Sequence, residues 1–375
     1  MKIGNYKIDV FILLPVLLLI FFSVALVYSA SSDYALTKFD DSSYLLKSHL
    51  FKVLISLLLF FVAIKIDYRI YQDASKFLVI GTIILLIVVL FTSSSIKNVN
   101  RWIWLGPLSF QPSDLAKYAL ILHISTLLVK KETYLDNLYK GYLPIVLYVL
   151  LVCGLIALQP NFSTSIIIFT SSMLLMLTSK IKFKHLAITI VSLIPFAILF
   201  ILSKSYILAR IESYAEYSST GTAQHQLNQA LIGLGNGGLF GVGMGNSIQK
   251  EFFLPESYGD FIFSIVGEEY GFIGTFIIVL MFTIILIRGF KTAKEVKDPF
   301  GKYLAFGITS IIMLYAVVNM SVASGIFPTT GVPIPFLSFG GTAMIFNSVA
   351  AGILINISTF REKGSFINKI GEVKI

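Results

Sequence analysis

The sequence predicts an all-α polytopic membrane protein of ten transmembrane helices, with a large outer loop between helices 7 and 8. Three observations lead there. The 375 residues are 56% hydrophobic and only 13% charged, with a mean hydropathy of +0.84. A soluble domain of this length needs more charge to cover its surface. The apolar residues also come in blocks that approach the roughly 20 a bilayer core requires. Val79–Phe91 with its flanks and Phe272–Ile287 contain no charge. Finally, most of the 29 Lys and Arg residues fall in alternate loops, the asymmetry that marks cytoplasmic loops.

The elements follow in order. Helix 1 is expected over 10–28; Val10–Ser29 lacks a strongly basic start and leads straight into further spans, so it reads as a retained helix and not a cleaved signal. Helices 2 and 3 are expected over 48–65 and 76–92, and helix 4, with Asp114 and Lys117, over 113–129. Helix 5, over 142–158, holds the single cysteine, Cys153, which can form no intramolecular disulfide and reads as a packed core thiol. Helices 6 and 7 are expected over 162–179 and 185–202. The stretch 203–260 is the only long polar segment between spans, too long for a simple connection, and such loops are functional or disordered. Helix 8, over 261–287, carries Glu268 and Glu269; helices 9 and 10 follow at 304–326 and 337–359. The whole of 1–375 reads as one transmembrane domain, with its extracytoplasmic loop at about 203–260.

The loop set rich in Lys and Arg includes both termini, which places them in the cytoplasm. The 203–260 loop and the segment around Trp102 then lie outside. The net charge of +9 is spread in short clusters between apolar blocks, so it reads as membrane anchoring, and no nucleic-acid partner is expected. The short basic loops leave no room for a nucleotide-binding fold. The glycine-rich run Gly233–Gly245 has no Gly-Lys-Ser/Thr ending and no strand–turn–helix context. It reads as a loop needing tight turns or close backbone approach to a ligand.

Ionisable residues within spans are functional candidates by default. Asp114 and Lys117 lie three apart, on one helix face. They form either a self-neutralising pair or a site where Asp114 holds Lys117 toward an anionic head group. Glu268 and Glu269 point about 100° apart and read as structural, bonded to neighbouring helices. Asp260 stands where the outer loop enters helix 8, between Phe252-Phe253-Leu254-Pro255-Glu256 and Phe261-Ile262-Phe263. Partial desolvation there should raise its pKa, which suits a general base near neutral pH; its alternative role is the N-cap of helix 8. Arg101, Arg210, Lys204 and Lys250 are outer cations able to meet lipid phosphates, or solvated rim charges. Gln226 and Gln229 could hydrogen-bond a sugar. The four histidines show no metal-ligand spacing, and no metal ligand is assigned.

Several motifs, in order along the whole chain, carry a resemblance. They are Val27-Tyr-Ser-Ala-Ser31, Arg101-Trp-Ile-Trp-Leu-Gly-Pro-Leu-Ser-Phe-Gln-Pro-Ser-Asp-Leu-Ala-Lys117 and Gln159-Pro-Asn-Phe-Ser-Thr-Ser165. Further along stand Gly241-Val-Gly-Met-Gly-Asn-Ser-Ile-Gln-Lys250, Leu254-Pro-Glu256, Asp260-Phe-Ile-Phe-Ser-Ile-Val-Gly-Glu-Glu269 and Pro328-Thr-Thr-Gly-Val-Pro-Ile-Pro-Phe-Leu-Ser-Phe-Gly-Gly341. Together they resemble the SEDS family (shape, elongation, division and sporulation), FtsW-like more than RodA-like. The resemblance implies a peptidoglycan glycosyltransferase that polymerises lipid II at the outer face of the bacterial cytoplasmic membrane. The implied partners are a class B penicillin-binding protein and other divisome or elongasome membrane proteins.

The family's catalytic aspartate falls on Asp260. Lys117, Arg101, Arg210, Gln226, Gln229, Lys250 and Glu256 are carried as substrate-binding candidates, with Glu256 the next candidate base. Asp114, Trp102, Gln111, Gln159 and Pro255 are carried as support for the site. Several positions depart from the family pattern: Tyr258 and Gly259 replace the usual His and Thr, Asp114 a usual Glu, Asn161 a usual Asp and Ser163 a common Gly. No cofactor is certain, and a divalent cation stays open without an assigned ligand. Rival readings are a lipid II flippase, which would need charges at several depths, and a scaffold that only activates its partner.

Overall fold

The structure, a computed structural model, describes residues 2–3, 6–91, 101–105, 108–220, 225–252 and 257–371. Thirteen α-helices account for nearly all of it, with two short hairpins, Lys2–Ile3 with Tyr6–Lys7 and Ile103–Leu105 with Leu108–Phe110. The helices are α1 (Val10–Phe39), α2 (Tyr44–Lys65), α3 (Ile70–Phe91), α4 (Pro112–Lys130), α5 (Leu143–Leu158), α6 (Phe162–Leu177) and α7 (Phe183–Leu202). After them come α8 (Ser205–Thr220), α9 (His225–Asn236), α10 (Ile248–Phe252), α11 (Ile262–Glu295), α12 (Pro299–Ala323) and α13 (Gly341–Gly371).

Eight helical segments among the described residues are long and apolar enough to cross a membrane. The other two expected spans are α4 and α6. At 16 residues, α6 is only about 24 Å long. Helix α4 is buried nearly all round, Asp114 and Lys117 included, as a helix at the centre of a bundle must be. In contrast α7 buries only Leu186, the pattern of a helix whose apolar sides face lipid.

Three spans run well past their expected C-terminal ends, α13 among them, to Gly371. Helix α1 continues through Ser29–Phe39, where no Gly or Pro interrupts it, and stops at Asp40 in a left-handed conformation (φ 55°). Helix α11 reaches Glu295, and its continuity is broken at Gly271 (φ 65°, ψ −162°). Most of the described part of the polar 203–260 stretch is helical, in α8, α9 and α10, with the glycine-rich run between α9 and α10 non-helical.

The glycine-rich run is what fills the break in α11. Val242 and Gly243 N–H groups donate to the carbonyls of Glu268 and Glu269, and Phe272 and Ile273 N–H groups donate to those of Gly238 and Leu239. Main-chain groups that the kink leaves without helical partners are thus paired, as they must be away from water. A Cβ at Gly241 would lie 2.2 Å from the Glu269 carbonyl oxygen, so the contact demands glycine. The close approach expected of this run is to the protein's own helix.

At the bundle end holding the helix termini Val10 and Glu295, Asp9 caps α1 through Phe11 N–H. It also receives Arg288 (2.5 Å) and Arg361 (3.2 Å), while Arg361 reaches Glu295 (3.0 Å). This cluster ties α1, α11 and α13 together.

Candidate active site

Asp260 lies one residue before Phe261, the N-cap of α11. The cap role is therefore not its own. Its segment is held through main-chain oxygens. Asn319 Nδ2, from α12, donates to the Asp260 carbonyl (2.8 Å) and to the Val332 carbonyl (2.7 Å). Ser338 Oγ donates to the Gly259 carbonyl (2.7 Å), and Phe339 N–H to the Tyr258 carbonyl (2.9 Å). Ser257 Oγ donates to Ala30 of α1 (3.0 Å). Three separate chain segments thus converge on residues 257–260.

The Asp260 side chain opens on a chamber of about 170 Å³, together with Arg210 of α8, Gln226 of α9, Asn319, Thr329, Thr330 and Gly331. Gly331 has φ +70°, and a Cβ placed on it would lie 3.4 Å from Asp260 Oδ2 and 4.0 Å from Arg210 Nη2. A carboxylate and a guanidinium therefore flank one point. Arg210 Nη1 is steadied by the Thr330 carbonyl (3.3 Å).

A second cavity of about 280 Å³ adjoins the chamber, since Arg210, Thr329 and Thr330 line both. Its walls are mainly apolar, from Phe162, Ile166, Ile167, Ile201, Ile207 and Phe327, with Arg101 and Tyr206 at its polar edge. Arg101 is fixed by Nε donating to the Gln159 carbonyl (3.1 Å) and Nη2 to the Pro160 carbonyl. Burial, and after it the charge of Arg210, push the Arg101 pKa below its ordinary value, while Tyr206 and Asp260 push it back. Two guanidiniums that repel each other beside an apolar cavity make a site that an anionic group on a lipid chain would relieve.

The other candidates fall elsewhere. Lys117 is fully buried, 3.6 Å from Asp114, with its ammonium 4.5 Å over Tyr315. Asp114 also accepts from Thr342 (3.0 Å), and Thr342 Oγ1 accepts from Gln111 N–H (3.1 Å). This network joins the starts of α4 and α13 and does not line the chamber. Trp102 packs against Gly341 in the same region. Gln159 is buried and donates to the Leu86 carbonyl (3.0 Å).

Lys250 was expected as an outer cation; it is buried, 3.0 Å from Glu269 and 2.8 Å from the Gly245 carbonyl. Its charge is thereby engaged inside the protein. Glu269 also accepts from Ser29 (2.5 Å), and Glu268 from Ser247, so both glutamates bond to neighbouring elements. Gln229 is half-buried on α9 outside the chamber lining. Pro255 and Glu256 lie outside the described residues.

Asn319 escaped the sequence reading. A lone amide inside an apolar block was the available signal, because polar groups inside bundles serve as interhelical ties.

Residues 9–363 match the family model described as "Cell cycle protein", which covers FtsW, RodA and SpoVE. The "Probable peptidoglycan glycosyltransferase FtsW" of Geobacter metallireducens is 34% identical over 365 residues, spanning 96% of each chain. The "Stage V sporulation protein E" of Bacillus subtilis is 34% identical over 356 residues, 94% of this chain and 97% of that one. A chain from a solved peptidoglycan synthase complex superposes with a TM-score of 0.77 at 23% identity, covering 95% of this chain and 98% of that chain. The rod-shape determining protein RodA of Thermus thermophilus gives 0.70 at 23%, with the same coverage. Motifs, near-complete relatives and the shared helical fold agree, and the chain belongs to the FtsW/RodA/SpoVE family.

Proposed function

We propose that this protein is a peptidoglycan glycosyltransferase that polymerises lipid II at the outer face of the bacterial cytoplasmic membrane, with a class B penicillin-binding protein as its partner. It spans that membrane ten times with both termini in the cytoplasm, and it serves cell division, as the names of its FtsW relatives suggest. The observation that carries the reading is the shared chamber, where Asp260 Oδ2 and Arg210 Nη2 stand 3.4 Å and 4.0 Å from one point beside an apolar cavity.

The chemistry follows from that arrangement. Asp260 takes the proton from an acceptor sugar hydroxyl as its oxygen attacks the donor's anomeric carbon. The bond from that carbon to the diphosphate breaks, and undecaprenyl diphosphate leaves with the electron pair. Arg210 and Arg101 meet the charge developing on the diphosphate, while the apolar cavity takes the first isoprene units. Gln226 is placed to hydrogen-bond sugar hydroxyls.

The test is glycan synthesis from lipid II by the purified protein with its partner. Asp260→Asn keeps the side-chain size and the main-chain tethers of this segment, so it should fold, and it should lose roughly 100- to 10,000-fold in rate. Wild-type synthesis by the Asn variant would end the assignment.

A further inference from the structure

One buried cation belongs to none of these sites. Lys52, on α2, is 6% exposed. Among the described residues no carboxylate pairs with it, and its ammonium instead lies 4.3 Å from the centroid of the Phe339 ring. A cation within a span is costly and is a functional candidate by default. A desolvated aromatic face is one of the few neutral partners that offsets part of that cost.

Phe339 is not an ordinary core ring. Its N–H donates to the Tyr258 carbonyl, and its ring meets Tyr258 edge-on at 5.4 Å. Its neighbour Ser338 bonds to the Gly259 carbonyl. From α2, His49 also packs against the ring at 5.8 Å, and His49 is held by Ser23 of α1 (2.9 Å). The ring is therefore gripped from below by α2 while its backbone holds the residues leading to Asp260.

We propose that Lys52 is a positioning residue for the transfer reaction. Its charge, drawn to the Phe339 ring, seats the 338–339 clamp on Tyr258 and Gly259 and so fixes the height of Asp260 in its chamber. Lys52 touches no substrate. The role rests on the glycosyltransferase reading, since it acts through Asp260. It gives a cation a use at a place where methionine would fill the same space with no desolvation.

The experiment compares Lys52→Met, Lys52→Arg, Phe339→Leu and the Met/Leu double variant, in full-length protein with its partner. Lys52→Met and Phe339→Leu should each lower kcat about tenfold or more, with KM within about twofold and folded yield unchanged. The double variant should be no worse than the worse single, because both remove one interaction. Lys52→Arg, which keeps the cation over the ring, should retain most of the rate. Amide exchange at 258–262 and 338–340 should quicken in Lys52→Met and not in Lys52→Arg.

Wild-type kcat in Lys52→Met, an Arg variant as impaired as the Met variant, or a raised KM at constant kcat would each overturn the proposal. The last would make Lys52 a substrate ligand. If the parent protein makes no glycan, the glycosyltransferase reading fails, and exchange alone decides for Lys52: unchanged protection in Lys52→Met refutes the clamp.

Discussion

Gly331 offers the sharpest probe of the chamber. Its φ of +70° is left-handed, and a Cβ would meet Asp260 Oδ2 at 3.4 Å and Arg210 Nη2 at 4.0 Å. These are ordinary contact distances, so Gly331→Ala displaces neither side chain. Its folding cost is the backbone alone, about 1–2 kcal/mol for an L-residue in that region. Its functional cost should be far larger. A hydroxyl must come within roughly 2.6–3.2 Å of the carboxylate to give up its proton, and the new methyl takes space between base and cation. Displacement of the acceptor by about 1 Å would cost about 100-fold in rate. Gly331→Asn separates the two effects, since Asn tolerates the left-handed region better while filling the chamber more. The assay is glycan synthesis from lipid II, with thermal unfolding in detergent beside it. Ala should cost a small shift in Tm and a rate loss near 100-fold; Asn should unfold closer to the parent and synthesise no better than Ala. An Asn variant that recovered most of the parent rate would show that strain, and not occupancy, governs this position, and the chamber would lose its claim to be the acceptor site.

Three more outcomes are expected. Removing either Lys117 or Asp114 leaves the other charge buried, so Lys117→Met and Asp114→Leu should each lose stability by about 3–5 kcal/mol, with the double variant recovering folded yield; size-exclusion profiles after thermal challenge would reveal singles that are as stable as the parent and so refute the pairing. In the glycine-rich run, Gly241→Ala should abolish folded protein because its Cβ would stand 2.2 Å from the Glu269 carbonyl, whereas Gly238→Ala, with φ +53° and open space around it, should cost only about 1–2 kcal/mol. Glu212 is exposed on α8 and Lys140 before α5; on a Cys153→Ser background, Glu212→Cys should react with an impermeant maleimide added outside cells and Lys140→Cys only after lysis, and the reverse pattern would invert the proposed orientation.

The spans were legible because lipid leaves little choice: a segment that must bury every backbone group without water has to be an apolar helix, and nothing else could disguise Phe272–Ile287. Their ends were not. No apolar requirement acts on Ser29–Phe39, so a hydropathy reading stops where the helix does not. The 203–260 stretch looked like a loop for the same reason, since α8 and α9 are too polar to announce themselves as spans. Asp260 was singled out in the sequence because it is a carboxylate at a boundary between aromatic runs. The destination of Lys250 was hidden, because its partner Glu269 comes near only when the glycine run docks into the break at Gly271. That break has no signature beyond one glycine among apolar neighbours.

The fold fixes Asp260 through its backbone, and other buried acids through their side chains. Asp9, Asp114 and Glu269 are each held by their carboxylate oxygens, which pair with Arg288, Lys117 and Lys250. Those groups hold helices together. Around Asp260 the tethers from Asn319, Ser338 and Phe339 all end on carbonyl oxygens of residues 258–260. The protein thereby fixes the position of the residue through its backbone, and aims the side chain at a chamber where the nearby cation, Arg210, is itself steadied by the Thr330 carbonyl. A loss of rate in Asp260→Asn at unchanged stability would therefore report on the carboxylate's part in the proton transfer, because Asn keeps the size and the main-chain tethers and loses the ability to accept a proton.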